Sequence, residues 1–179
     1  MFREFQGKSP VIHPHAFVAE GCQIIGNVIM KEYSSIWFNS VARADLNSIT
    51  IGGYTNVQDG SVIHVETTIP TVIGDFCVVG HKSMIHGAFI EDHVLIGMGA
   101  ILLNGCRIGR GSIIAAGAVV KENAVIPPFS LVAGVPGKII KHLPEDVRYI
   151  HNEAVKYKTQ WTERYGILPD AGGERAPIE

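Results

Sequence analysis

An aliphatic residue returns at every sixth position from Ile12 through Val18, Ile24, Met30 and Ile36, with Ala42 as a smaller member. A second row of small residues accompanies it at Ala16, Cys22, Val28, Ser34 and Ser40. The phase breaks near Leu46 and Asn47, resumes at Ile51, Val57 and Ile63, and breaks again across residues 65–71. It returns at Ile73, Val79 and Ile85, slips by one residue to Ile90, and runs through Ile96, Leu102, Ile108, Ile114 and Val120. A six-residue period fits neither a helix nor the simple alternation of a lone strand. It suits short strands joined by turns, each hexad forming one flat side of a coil, and three sides closing a triangular turn of about 18 residues. Gly26, Gly52, Gly74, Gly80, Gly97 and Gly109 each follow an aliphatic residue, where the chain must bend and a side chain would obstruct the corner. The expected fold is mainly β, a parallel β-helix held by apolar ladders along its axis.

The register changes at Pro144. Val147, Ile150, Ala154, Tyr157 and Trp161 then recur at steps of three and four, which predicts an amphipathic helix over about residues 145–165, packed against the side of a β-helix. Pro144 suits its first turn, Glu145 and Asp146 complement its positive start, and Gly166 is a natural stop. The expected organisation is a β-helix domain over residues 1–143, a helix over 144–166 and a flexible Gly- and Pro-rich tail over 167–179.

With 15 basic and 17 acidic residues and no basic run, nothing suggests a nucleic-acid surface or a polybasic membrane patch. No stretch approaches the roughly 18 uninterrupted apolar residues of a membrane span. The start, MFREFQGKSP, lacks the apolar core of a secretory signal, so the cytoplasm is the expected compartment. Cys22, Cys77 and Cys106 are widely spaced among apolar neighbours, as buried, reduced thiols would be.

The chemistry-bearing stretch is residues 56–86, where His64, His81 and His86 fall inside the repeat. Imidazole is a common zinc ligand, and catalytic zinc takes three protein ligands and leaves a position for water. His64 and His86 are 22 residues apart, one coil plus four, and the break across 65–71 gives the extra residues a place to bulge out. The two histidines are therefore expected to stack on one edge. His81, five residues before His86, stands nearly a full side away, some 15 Å at about 3.3 Å per strand residue. One ion cannot bridge that gap within a chain, but a ring of three prisms can supply His64 and His86 from one subunit and His81 from the next. His13, His15, His93, His142 and His151 read as surface or turn residues.

The segments WFNSVARAD, TNVQDGSVIH, VGHKSMIHG and IGMGAILLNG together resemble the gamma-class carbonic anhydrases, specifically compact bacterial homologues without the prototype's acidic loop, over about residues 10–165. The resemblance implies a left-handed β-helix, a homotrimer, and a metal, zinc with iron or cobalt as alternatives, held by His64, His81 and His86. It implies hydration of carbon dioxide to bicarbonate by a metal-bound hydroxide. It further implies that Arg43 and Asp45 tie subunits together by ion pairs, that Gln58 orients the metal-bound water, and that Asp59 acts beside it. Ala44 stands where the family usually has Gly, Leu46 where the prototype has a glutamate, and Ala154 where some relatives place a tyrosine. The loop after His64 holds Glu66 but no acidic extension, so a proton-shuttle glutamate has no obvious counterpart. Two other classes stay open: a hexapeptide-repeat acyltransferase, which needs a single histidine rather than three, and a non-catalytic metal- or siderophore-binding scaffold. Residues 97–99, GMG, sit within a hexad turn and do not read as a nucleotide loop.

Overall fold

The computed structural model describes residues 1–166 and 172–177. Short parallel strands stack into a three-sided coil. The first side is the ladder Phe17–Val18, Ser35–Ile36, Asn56–Val57, Val78–Val79, Leu95–Ile96, Ile113–Ile114 and Ser130–Ala133, closed by the antiparallel strand Lys138–His142. Two longer strands, Gln23–Met30 and Val41–Ile51, turn a corner and join the other two sides. Their first halves lie on the second side, which begins with Phe2–Arg3 and continues through Val62–His64, Met84–His86, Ile101–Leu102 and Val119–Val120. Their second halves lie on the third, which begins with Val11–Ile12 and continues through Thr71–Ile73, Phe89–Ile90, Arg107–Ile108 and Val125–Ile126.

The hexad residues are the interior. Ile24, Ala42, Ile63, Ile85, Leu102 and Val120 follow one another in register on the second side, all buried. Each fully buried aliphatic side chain in such a ladder contributes about 1.5–3 kcal/mol. The interior continues past Val120 to Ile126 and Val132, whereas Ile12 and Val18 at the other end are only partly buried because the first coil has a neighbour on one side alone. The corner glycines answer to backbone approach. A Cβ on Gly97 would lie 2.4 Å from the Ala116 nitrogen, and one on Gly26, whose φ is +76°, 2.3 Å from the Ala44 carbonyl oxygen.

Both phase breaks are excursions from the coil. Between the paired strands at Gln23–Met30 and Val41–Ile51, the register moves from Gly26↔Ala44 to Val28↔Ile49, so residues 45–48 leave the ladder. Residues 65–70 leave it between His64 and Thr71, and the Asn47 side-chain amide donates to the Thr67 carbonyl at 3.1 Å, tying the two excursions together.

The helix runs from Arg148 to Thr159 and continues as a π-helical turn over Gln160–Arg164. It starts later than the expected 144–145. Pro144 lies in a turn before it, where the Asp146 N–H donates to the Pro144 carbonyl at 2.7 Å. Asp146 accepts from the Arg148 backbone N–H at 2.9 Å and from its guanidinium, which holds the carboxyl at about 2. Ile150 and Ala154 pack on Val78 of the first side, and Trp161 stacks on Phe17 at 5.8 Å. Among the described residues, no helix is long and apolar enough to cross a membrane.

Part of the expected tail, residues 167–171 and 178–179, lies outside the described residues. Residues 172–177 lie against the helix: Lys158 donates to the Gly172 carbonyl at 2.7 Å and Ala176 to the Thr159 hydroxyl at 3.1 Å. The three cysteines are free and buried, and burial pushes the Cys77 and Cys106 thiols up to about 12.

His93 lies in a bend, as a turn residue, but it is not on the surface: it is 9% exposed and ends a ladder of rings along the corner between the third and first sides. Tyr33, Tyr54, Phe76 and His93 follow one another at ring separations of 4.8, 4.7 and 5.0 Å. Successive coils place these flat side chains directly above one another, so the ring is covered by stacking.

Candidate metal centre

His64 and His86 are direct neighbours in the second side's ladder. Their backbone is pinned by Thr71, whose hydroxyl donates to the His64 carbonyl at 2.6 Å and accepts from the Gly87 N–H at 3.0 Å. The rings meet with His64 Nδ1 2.8 Å from His86 Nε2. Their outer nitrogens are both committed elsewhere. His64 Nε2 donates to the Asp45 carboxylate at 2.9 Å, and His86 Nδ1 donates to the Asn104 carbonyl oxygen at 2.5 Å. Each neutral ring has one N–H, and in both it points outward, so the two facing nitrogens both carry lone pairs. Two facing lone pairs at this distance are held together by a cation, either a shared proton or a metal ion. This donor set therefore fits a divalent metal, with Asp45 and Asn104 as the outer partners that fix tautomer and ring orientation.

The first excursion is what brings Asp45 here. Leaving the ladder after Ala44 carries the carboxylate to the edge beside His64, where it is 18% exposed. Burial raises its pKa, but hydrogen bonds from His64 and Arg43 outweigh that and the net shift is downward. Arg43 bonds Asp45 directly through its guanidinium.

His81, Gln58 and Asp59 lie on the other edge of the same side. His81 Nδ1 donates to the Asp59 carboxylate at 2.8 Å, which leaves Nε2 as the lone-pair nitrogen of a side chain 42% exposed. Gln58 is buried, and its amide donates to the Asn56 side-chain oxygen at 3.1 Å, leaving the Gln58 carbonyl oxygen as an acceptor. A pocket of about 300 Å³ opens here, lined by Gln58, His81, Met98, Tyr149 and Glu153 among others. Among the described residues, the ligand atoms of His64, His81 and His86 do not converge within one chain. The site residues fall into two half-sites: Arg43, Asp45, His64 and His86 on one edge, Gln58, Asp59 and His81 on the other.

Sequence reasoning passed over Asn104 and Asn56. Asn104 lies 18 residues after His86, one full coil, so the repeat arithmetic that pairs His64 with His86 also points to it. Asn56 lies two residues before Gln58, on the same face of an extended chain. Ala154, at the helix position where a tyrosine was looked for, is buried against Val78, while Tyr149 and Glu153 reach the pocket.

The profile of the family "Bacterial transferase hexapeptide (six repeats)" matches residues 87–122, and that of "Hexapeptide repeat of succinyl-transferase" matches residues 70–102. The chain is 45% identical over 148 residues to a Methanocaldococcus jannaschii protein named "Probable carbonic anhydrase", covering 82% of this chain and 93% of that one. It is 40% identical over 146 residues to a "Carbonic anhydrase" of Geobacillus kaustophilus, covering 82% and 80%. To the mitochondrial gamma carbonic anhydrase 2 of Arabidopsis thaliana it is 40% identical over 84% of this chain, and it spans only 56% of that protein's length. In three dimensions it superposes with a TM-score of 0.90 on a Bacillus cereus crystal structure described as an acetyltransferase, 36% identical and covering 94% of this chain and 98% of that one. The hexad β-helix, the paired histidines and these relatives lead to one conclusion: the chain belongs to the gamma carbonic anhydrase family of the hexapeptide-repeat superfamily.

Proposed function

We propose that this protein catalyses the reversible hydration of carbon dioxide to bicarbonate at sites shared between the subunits of a homotrimer. Each site takes His64 and His86 from one subunit and His81 from the next, with zinc as the metal and iron or cobalt as alternatives. The observation that carries the reading is the pair of lone-pair nitrogens held face to face by Asp45 and Asn104. The outward Nε2 of His81, fixed by Asp59, supplies the third donor that a single chain lacks. When bound, the metal supplies the Lewis acidity that makes water nucleophilic near neutral pH.

The remaining work falls to this chain's own groups. Gln58, anchored by Asn56, presents a carbonyl oxygen that accepts a hydrogen bond from the attacking water and orients its lone pair, and an amide does not titrate in the working range. Apolar Leu95 and Met98 line the same pocket and offer carbon dioxide an apolar surface beside Gln58 and His81. Asp45 and Asp59 position the histidines, and Arg43 holds Asp45 and, 43% exposed, is the group taken to pair with an acidic group of a neighbouring subunit. Three free, buried thiols suit a reducing compartment, the cytoplasm.

The test combines mass measurement in solution, metal analysis and carbon dioxide hydration kinetics on anaerobically purified protein. The expected result is a trimer with metal bound at the shared sites, and activity that chelation removes, metal restores, and rising pH and buffer concentration increase. A stable monomer, or a metal-loaded trimer inactive at every pH and buffer strength, overturns the reading. A second reading, acyl transfer, rests on the resemblance to the Bacillus cereus structure described as an acetyltransferase. Metal-stripped protein that still transfers an acetyl group from coenzyme A would decide for it.

A further inference from the structure

Where the first coil meets the second, His13, His15 and Glu32 bring one ligand atom each to within 4.8 Å of one another. This cluster is separate in sequence and in side from both half-sites of the proposed centre. The ladder fixes its backbone: the His13 N–H donates to the Met30 carbonyl at 3.0 Å, the Tyr33 N–H to the His15 carbonyl at 2.9 Å, and the Tyr54 N–H to the Glu32 carbonyl at 3.2 Å. The His15 ring stacks on Tyr33 at 5.9 Å and 14°, so one of the three donors is oriented by this neighbour. Lys31, the adjacent cation, is directed away to Asp75 at 3.4 Å rather than onto Glu32.

We propose that His13, His15 and Glu32 form a second divalent-metal site, one per chain, with zinc or a similar nitrogen-preferring ion as its ligand. The His15–Glu32 distance suits an ion as well as a simple pair. His15 Nδ1 and the Glu32 carboxylate oxygen are 3.3 Å apart, long for a charge-assisted hydrogen bond, which runs about 2.7–2.9 Å. Ligands of a tetrahedral zinc, with bonds of about 2.0–2.2 Å, stand about 3.3–3.5 Å apart. Two imidazoles and one carboxylate also make a donor set zinc accepts with a fourth position left to water. His15 and Glu32 are 40% and 50% exposed, which gives the ion an entry path. His13 Nδ1 now accepts from the His15 backbone N–H at 3.1 Å, so ligation gives up or shares one turn hydrogen bond and the site is the weaker of the two. Occupied, it clips the first coil to the second.

The experiment is zinc titration of chelator-stripped, otherwise native protein, read by calorimetry and by elemental analysis after gel filtration. The wild type is expected to take up about two zinc ions per chain, a tight and a weaker one, with the weaker lost in His15→Ala and in Glu32→Gln while the tight one stays. His64→Ala should do the reverse. That crossing pattern separates this site from the proposed function, since failure of the shared centre leaves the His15-dependent ion in place. A wild type that binds a single zinc unaffected by both His15→Ala and Glu32→Gln overturns the proposal, and circular dichroism of the two variants checks that each remains folded.

Discussion

Two histidine pairs in this fold look alike and behave differently. In the first, His64 Nδ1 and His86 Nε2 are 2.8 Å apart, and in the second, His93 Nε2 and His151 Nδ1 are 3.1 Å apart. What separates them is where their outer nitrogens go. His151 Nε2 donates to Glu174 at 2.7 Å, so its Nδ1 is free to accept, and His93 Nε2–H can donate to it. The result is a one-way relay, His93 to His151 to Glu174, within the chain, which leaves the buried His93 Nδ1 without a partner among the described residues. At the other pair the acceptors sit at both ends, on Asp45 and Asn104, and the protons are drawn outward from both sides. A histidine pair is structural when its protons run in one direction and ready for a cation when they run apart, and the neighbouring acceptors decide which.

The largest effect expected from that distinction is on the metal. His81→Ala should lower metal affinity and carbon dioxide hydration by more than about 100-fold, while the coil, held by its apolar ladders, keeps its fold. His93→Ala should leave metal affinity at the shared centre unchanged. Elemental analysis and thermal melting on the two variants break the comparison if they respond in the same way. Next in size are the outer acceptors: Asp45→Ala and Asn104→Ala should each weaken metal binding by about 10–100-fold without abolishing it, measured by competition with a chelator. If neither variant binds metal more weakly, the facing lone pairs are not held by those acceptors.

The pairing of His64 with His86 and the absence of His81 from their edge were legible in the sequence because a coil converts spacing into position. The interior rows were legible for the same reason, since Ile63, Ile85 and Leu102 differ from any neighbour only by whole turns. The excursion at residues 45–48 could be located but not aimed, and it is the aim that delivers Asp45 to His64. The burial of His93 in its turn was not legible because a buried imidazole between stacked rings needs three other coils to create its environment, and each ring alone reads as a surface aromatic. The helix start was misplaced because Pro144 and Asp146 serve a capping turn as well as they would serve a first turn.

Gln58 sharpens the comparison at a smaller scale. Its amide is committed to Asn56, so truncation removes an orienting acceptor and leaves every metal donor in place. Gln58→Ala should reduce kcat about 10-fold, the worth of one well-placed hydrogen bond, with metal content unchanged. Loss of metal in this variant would instead assign Gln58 a structural part in the centre.

The smallest effect tests the closed pair through pH. Burial, followed by the nearby charges of Arg110 and His151, holds the His93 imidazole below its ordinary value near 6.5. The unfolded chain therefore binds a proton that the folded chain resists, and stability rises with pH across the interval between the two values. The contribution of neutral His93 is fully present above about pH 6.5 and is lost as pH falls toward its folded value. Carboxylates such as Asp45, whose pKa is lowered on folding, lose their contribution only at more acid pH, which keeps the two effects apart. Metal release from the shared centre also responds to acid, so the measurement belongs in the His81→Ala background. There, Tm should fall between pH 7.5 and 5.5. His93→Phe keeps the ring on Phe76 and removes the titrating group, so its Tm should be flatter over the same interval. Parallel pH profiles with and without His93 would mean that the pair's proton order contributes nothing to stability, and the contrast with His64 and His86 would then rest on metal binding alone.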